Sequence, residues 1–187
     1  RHHIREFNKI WNQWMFVADQ FIQKGNPVVN EWPSGCSYWK FPRIRKWFEQ
    51  RGFKAIQVSG CAVGLVSQVA KTKGMPIAKP WTFMCSPDIY PRVLEVFKDK
   101  VCKCTVNHAP CAGADTKFTE NYTHRLVNLV HLAFRRHFNA QHHVAVAEES
   151  SQCCPAEVCV ECCPAEESES ENNCSRCEIY PQRSNFE

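Results

Sequence analysis

Long apolar runs are missing: no stretch of the 187 residues reaches the roughly 18–20 consecutive apolar side chains of a membrane helix. No apolar signal segment follows Arg1, and a chain that starts on Arg reads as a fragment or a trimmed form, incomplete at its N-terminus. Disulfide-framework spacing is missing too. The 13 cysteines are an odd number, and those from Cys36 to Cys111 follow no paired pattern. The expectation is an intracellular protein, cytoplasmic or nuclear, with some thiols in the core and others on a metal. Residues 147–187 lack Asp, Lys and nearly all large apolar side chains. A packed core is thereby excluded there, and the segment reads as a disordered, acidic, cysteine-rich tail.

The rest of the chain has what the tail lacks. With 44% apolar residues overall, residues 1–146 can bury a core and read as one α/β domain. Their charge is one-sided. The tail holds ten Glu against two Arg, so residues 1–146 carry 21 basic and 9 acidic groups, a net +12. That excess supplies a salt-sensitive attraction for nucleic acid and none for a membrane span.

Apolar spacing predicts a helix over Ile4–Lys24, stopped by Gly25 and Pro27, and Pro27–Trp32 reads as a short extended run closed by Pro33-Ser34-Gly35. A second helix is predicted over Pro42–Gln50 and a strand at Phe53–Val58 that runs into Ser59-Gly60-Cys61-Ala62-Val63-Gly64. Beyond a basic loop (Lys71–Lys79) comes a third strand, Pro80–Cys85. Ser86-Pro87-Asp88 is expected to cap a helix to Lys98, and Thr119-Glu120-Asn121 to open a long helix to Phe138. Helices alternating with strands suggest a parallel sheet with crossover helices.

Several clusters have the residue types of a site. Glu31, at a strand end before a Pro33-Ser34-Gly35 turn, sits where open α/β sheets bind ligands; position alone favours an exposed loop acid beside a structural Trp. The small residues after Val58 let the backbone approach a ligand, or form a plain tight turn. Lys71, Lys73, Lys79 and Trp81 combine cations with an aromatic, as do contacts to phosphate and base; a solvated loop leading into a core Trp is the alternative. Arg135 and Arg136 add a basic patch near a helix end. Cys102-x-Cys104-x3-His108-x2-Cys111 offers three thiols and an imidazole, the donor types of zinc, with Asp115 and His124 in reserve. Inward-packed thiols without a metal are the other reading. In the tail, Cys159-x2-Cys162 and Cys174-x2-Cys177 have zinc-like pair spacing, and Cys153-Cys154-Pro155-Ala156-Glu157 recurs at Cys162-Cys163-Pro164-Ala165-Glu166.

In this order the pieces resemble the second half of the catalytic domain of DNA (cytosine-5) methyltransferases. They are closer still to the methyltransferase-like proteins of phages and mobile elements. Val28-Val29-Asn30-Glu31-Trp32-Pro33, after a long helix, is similar to the family's strand ending in Glu-Asn-Val or Glu-Asn-Pro. Gly60-Cys61-Ala62-Val63-Gly64 resembles its Tyr-Gly turn, and Lys79-Pro80-Trp81-Thr82-Phe83 its next strand. The resemblance covers about residues 4–113. It implies a partial Rossmann-like sheet with crossover helices, with Glu31 as the contact to an extruded cytosine. The family's Pro-Cys nucleophile and glycine-rich cofactor loop have no counterpart, and Trp32 stands where the family has Asn. S-adenosylmethionine is therefore expected only if an upstream segment is present.

The resulting expectation is a degenerate or truncated DNA methyltransferase-like domain that binds nucleic acid weakly and is not catalytic on its own. The alternative is a cysteine-rich zinc-binding interaction module without enzymatic activity. A complete enzyme of another kind finds no nucleophile–base pair in the spacing. If the acidic tail competes for the basic face, deleting residues 147–187 tightens binding to a labelled oligonucleotide in a salt titration. Unchanged affinity rejects the idea.

Overall fold

The computed structural model describes residues 2–151, with side chains to residue 142. Contacts divide the chain into Arg1–Asn139, described below, and Ala140–Glu187. The tail cysteines and their expected metal pairs lie outside the described residues.

Helix α1 (His2–Gln23) leads through Gly25 into strand β1 (Val29–Pro33). A 3-10 turn (Ser37–Lys40) precedes α2 (Pro42–Gln50), which Pro42 opens at a first-turn position where its missing N–H costs nothing. Strand β2 (Lys54–Ser59) follows, then 3-10 turns at Gly60–Val63 and Ala70–Thr72, and strand β3 (Pro80–Cys85). Helices α3 (Tyr90–Phe97), α4 (Ala114–Phe118) and α5 (His124–Ser151) complete the described order. Among the described residues no helix is long and apolar enough to cross a membrane.

The sheet has three strands in the order β1-β3-β2, and both pairings are antiparallel. The mixed α/β character holds. The expected parallel, Rossmann-like layer does not appear among the described residues, because no two of their strands pair in parallel. Connection geometry explains why. Helix α2 carries the chain back across the sheet, so β1 and β2 run in the same direction, as in a split β-α-β unit. The link from β2 to β3 has only short 3-10 turns, too little for a crossover. β3 therefore returns from the end where β2 stops and fills the gap.

Alternation along the strands sorts their side chains to two faces. On one, Val29, Ile56, Val58, Trp81, Phe83 and Cys85 pack with Val93, Val96 and Phe97 of α3 and Leu126 and Ala133 of α5. On the other, Trp32 and Met84 join Trp11 and Ala18 of α1 and Ile44, Trp47 and Phe48 of α2. The result is a three-layer arrangement with the sheet in the middle. The second face is aromatic: Trp11 stacks on Trp14 at 4.7 Å between ring centroids and meets Trp32 at 5.4 Å. Arg51 fastens α1 to the end of α2, donating to both Asp19 oxygens (2.6 and 2.9 Å) while lying over the Trp47 ring.

Two expected caps move. Ser86 does not cap α3; its hydroxyl accepts the Val28 N–H at 2.9 Å, tying the start of β1 to the end of β3. The last long helix starts at His124, not near Thr119, because Thr123 caps it: its Oγ1 accepts the Leu126 N–H at 3.1 Å.

At the end of β2 a Cβ on Gly60 would lie 2.7 Å from Leu65 Cδ2 and 3.0 Å from the Ile77 carbonyl oxygen. The close backbone approach expected there is thus to the chain's own 77–79 segment, not to a ligand. Gly60→Ala should cost about 1–3 kcal/mol in urea unfolding. Gly35→Ala, where a Cβ meets nothing within 4 Å, should stay within about 0.5 kcal/mol of wild type; equal effects would contradict the packing account.

Candidate metal centre and the Glu31 pocket

The end of β2 also gathers a set of metal donors. Ser59 N–H donates to the Lys100 carbonyl (2.8 Å), and Cys102 N–H donates to Ser59 Oγ (3.0 Å). These bonds lay the segment after α3 against the strand end. On the far side of the loop, Ala109 N–H reaches the Pro76 carbonyl at 2.9 Å, and Ala109 is buried. Between these anchors Cys102, Cys104 and His108 come together with Cys61 from the 3-10 turn, and their four donor atoms all lie within 4.8 Å of one another. His108 Nε2 is 3.4 Å from Cys102 Sγ. A tetrahedral ion with thiolates at about 2.3 Å needs donors just under about 4 Å apart, so the set could hold a metal ion after small rotamer adjustments.

Three of the four expected ligands are in this cluster, and the fourth is replaced. Cys111 sits 3.3 Å from Thr119 Oγ1 and takes no part, because the chain turns away after Ala109. Cys61 takes its place. Nothing in the spacing around Cys102 points to a ligand so far upstream; the hint was a cysteine just after a strand. The reserve ligands are absent as well. Asp115 is buried and accepts from Ser67 Oγ (2.5 Å) and Gln68 N–H (2.9 Å), and these bonds hold its carboxyl below the ordinary range. His124 is exposed at the start of α5.

Burial, reinforced by Cys102 and Cys104 beside it, pushes the Cys61 thiol up to about 12. A hydrogen bond from the backbone at Cys104, with further help from Cys61, lowers that of Cys102. A metal entering this set must displace protons, so its uptake falls with falling pH.

Glu31 is the middle residue of β1 and projects to the face shared with Val29 and Phe83. There it borders a pocket of about 260 Å³ whose other walls include Leu126, Val130 and Phe134 of α5. Tyr122 donates its hydroxyl to one Glu31 oxygen, while the other, Oε1, is buried without a partner among the described residues. Burial raises the Glu31 pKa from its ordinary value of 4.5, and the Tyr122 bond and the charge of Lys79 pull it partly back. Burial and Glu31 likewise push Tyr122 above its usual range. Next to Tyr122, Thr123 Oγ1 donates to the Val63 carbonyl at 2.7 Å. One short segment thus ties the Glu31 pocket to the turn that carries Cys61.

The expected nucleic-acid residues separate. Trp81 is 1% exposed and belongs to the core, so it has no free face for a base. Lys79 is committed to Thr119, donating to its carbonyl at 2.9 Å. Arg136 donates to Glu95 of α3 at 2.5 Å. Lys71, Lys73 and Arg135 are exposed.

The raised Glu31 pKa has a defined sign. The folded state binds the Glu31 proton more tightly than the unfolded chain does, so ionisation there subtracts stability as pH rises from 4.5 through the folded value. The stability of Glu31→Gln relative to wild type should therefore increase across that window in pH-dependent thermal melts, and a flat difference would reject the account. Compared with known proteins, the chain matches no family model, no curated protein and no solved structure.

Proposed function

We propose that this chain is a zinc-stapled module that binds nucleic acid and lacks a complete catalytic apparatus. The observation that carries this reading is the convergence of Cys61, Cys102, Cys104 and His108 within 4.8 Å. Three thiols and an imidazole are the donor set of structural zinc, and four protein ligands leave no open position for substrate or water. The ion would clamp the end of β2 to the 100–108 loop. There Cys102 and Cys104 are exposed, and apolar burial contributes little. The net +12 of residues 1–146 and the exposed Lys71, Lys73 and Arg135 favour a polyanionic partner.

A second reading, a degenerate DNA methyltransferase-like domain, is favoured by a different observation. β1 and β2 run in one direction with α2 between them, and Glu31 on β1 borders a pocket with a free carboxylate oxygen. This agrees with a base-contacting Glu31 in the resembled family. S-adenosylmethionine would enter that reading only with an upstream segment.

Elemental analysis of the purified protein tests the first reading. One zinc per chain is expected, lost in Cys61→Ala and kept in Cys111→Ala, with chelation lowering the melting temperature. No stoichiometric metal, or loss in Cys111→Ala alone, overturns it.

A further inference from the structure

From the outward face of α5 we infer that residues 124–139 form a binding strip for single-stranded nucleic acid, with Arg135 on phosphate and Phe138 under a base. This inference rests on the nucleic-acid part of the proposed function and names the surface that performs it.

The strip is defined by helical spacing. His124, Asn128, His131, Arg135 and Asn139 recur at three- and four-residue steps, so they share one side of the helix, and all five are exposed. Opposite them, Leu126 and Ala133 are buried in the core. Asp and Glu are absent from residues 121–147. Acids meet α5 at its flanks: Glu95 bonds Arg136, Asp88 lies 3.8 Å from the buried His137, and Glu31 shares a pocket with His131 of the strip. A solvated helix face more often mixes both signs of charge with its polar groups. This one offers only imidazole, guanidinium and amide groups.

Shape adds a second argument. Asn128, His131, Phe134, Arg135, Phe138 and Asn139 border a surface groove of about 560 Å³. Phe138 is 46% exposed and lies in this groove beside Arg135, His131 and the two Asn side chains. A cation beside an aromatic platform in a groove is the pattern of single-strand binding, in which bases stack on rings while cations follow the backbone. Asn and Arg can also hydrogen-bond base edges. A duplex keeps its bases stacked on one another and would leave Phe138 idle, which is why the unpaired strand is the assigned occupant. From Asn128 to Asn139 the helix rises about 16 Å, enough for a few nucleotides. His131 and Phe134 line both this groove and the Glu31 pocket, so the two concavities adjoin.

The experiment is fluorescence anisotropy of the full chain with labelled oligothymidylate and with a duplex of the same length. Wild type should prefer the single strand. Phe138→Ala should weaken single-strand binding by about tenfold and leave duplex affinity unchanged. Arg135→Gln should reduce the salt dependence of log K by about 0.7. Both positions are exposed, and unchanged melting temperatures would verify intact folding. Single-strand binding that survives both substitutions, or that is lost only in Lys71→Gln with Lys73→Gln, overturns the strip while leaving nucleic-acid binding in place. A wild type that prefers the duplex also overturns it. No binding to either probe removes the nucleic-acid reading along with it, whatever the zinc content.

Discussion

Where β2 ends, one four-residue turn answers several structural demands at once. Gly60 lets the 77–79 backbone pass within contact distance, and its own N–H donates to the Lys79 carbonyl at 2.8 Å. Cys61 points to the loop that carries Cys102, Cys104 and His108. Val63 is buried, and its carbonyl accepts the Thr123 hydroxyl that caps α5. The start of β3, the metal donors and the position of α5 over the sheet all depend on this turn keeping its shape. Any side chain at Gly60 would push on the segments that position the other three.

The sheet divides the core into two chemically different halves. The face toward α1 and α2 is filled by indole and phenyl rings, whose edge-to-face and stacked contacts add to simple burial. The face toward α3 and α5 is mostly aliphatic, with Phe83 stacked on Phe97 at 5.3 Å. Glu31 lies on the second face, so its carboxylate enters largely apolar surroundings, with Tyr122 as its hydrogen-bond partner among the described residues. Burial raises the pKa of a carboxyl held in this way, and its ionisation then subtracts from the stability of the fold.

Local pattern and global direction are separate kinds of information in this chain. Apolar spacing marked α1, Pro42 and Gly52 bracketed α2, and the Pro80–Cys85 strand is found with the expected bounds. Period-two alternation says which residues share a face but not which way a neighbouring strand runs. Direction follows from the connection: a helix between β1 and β2 returns the chain to its starting edge, and short turns between β2 and β3 do not. The same limit applied to Trp81. Its basic neighbours suggested a stacking surface, yet its register in the central strand turned it into the core.

Composition was enough to separate a cationic, core-forming body from the acidic residues beyond it, and local spacing was enough to pick out Cys102, Cys104 and His108 as donors that lie together, because side chains within one short loop cannot move far apart. The fourth donor was another matter. Cys111 is nearer in sequence, but Cys61 is nearer in space, since the backbone bonds between Ser59 and residues 100–102 lay that loop along the end of β2. Glu31 stood out in the sequence, whereas its partner Tyr122 did not, because a hydrogen bond across 91 residues exists only after α5 has packed on the sheet. Nearness along a chain constrains local geometry; nearness across a fold is set by which apolar faces must be buried together.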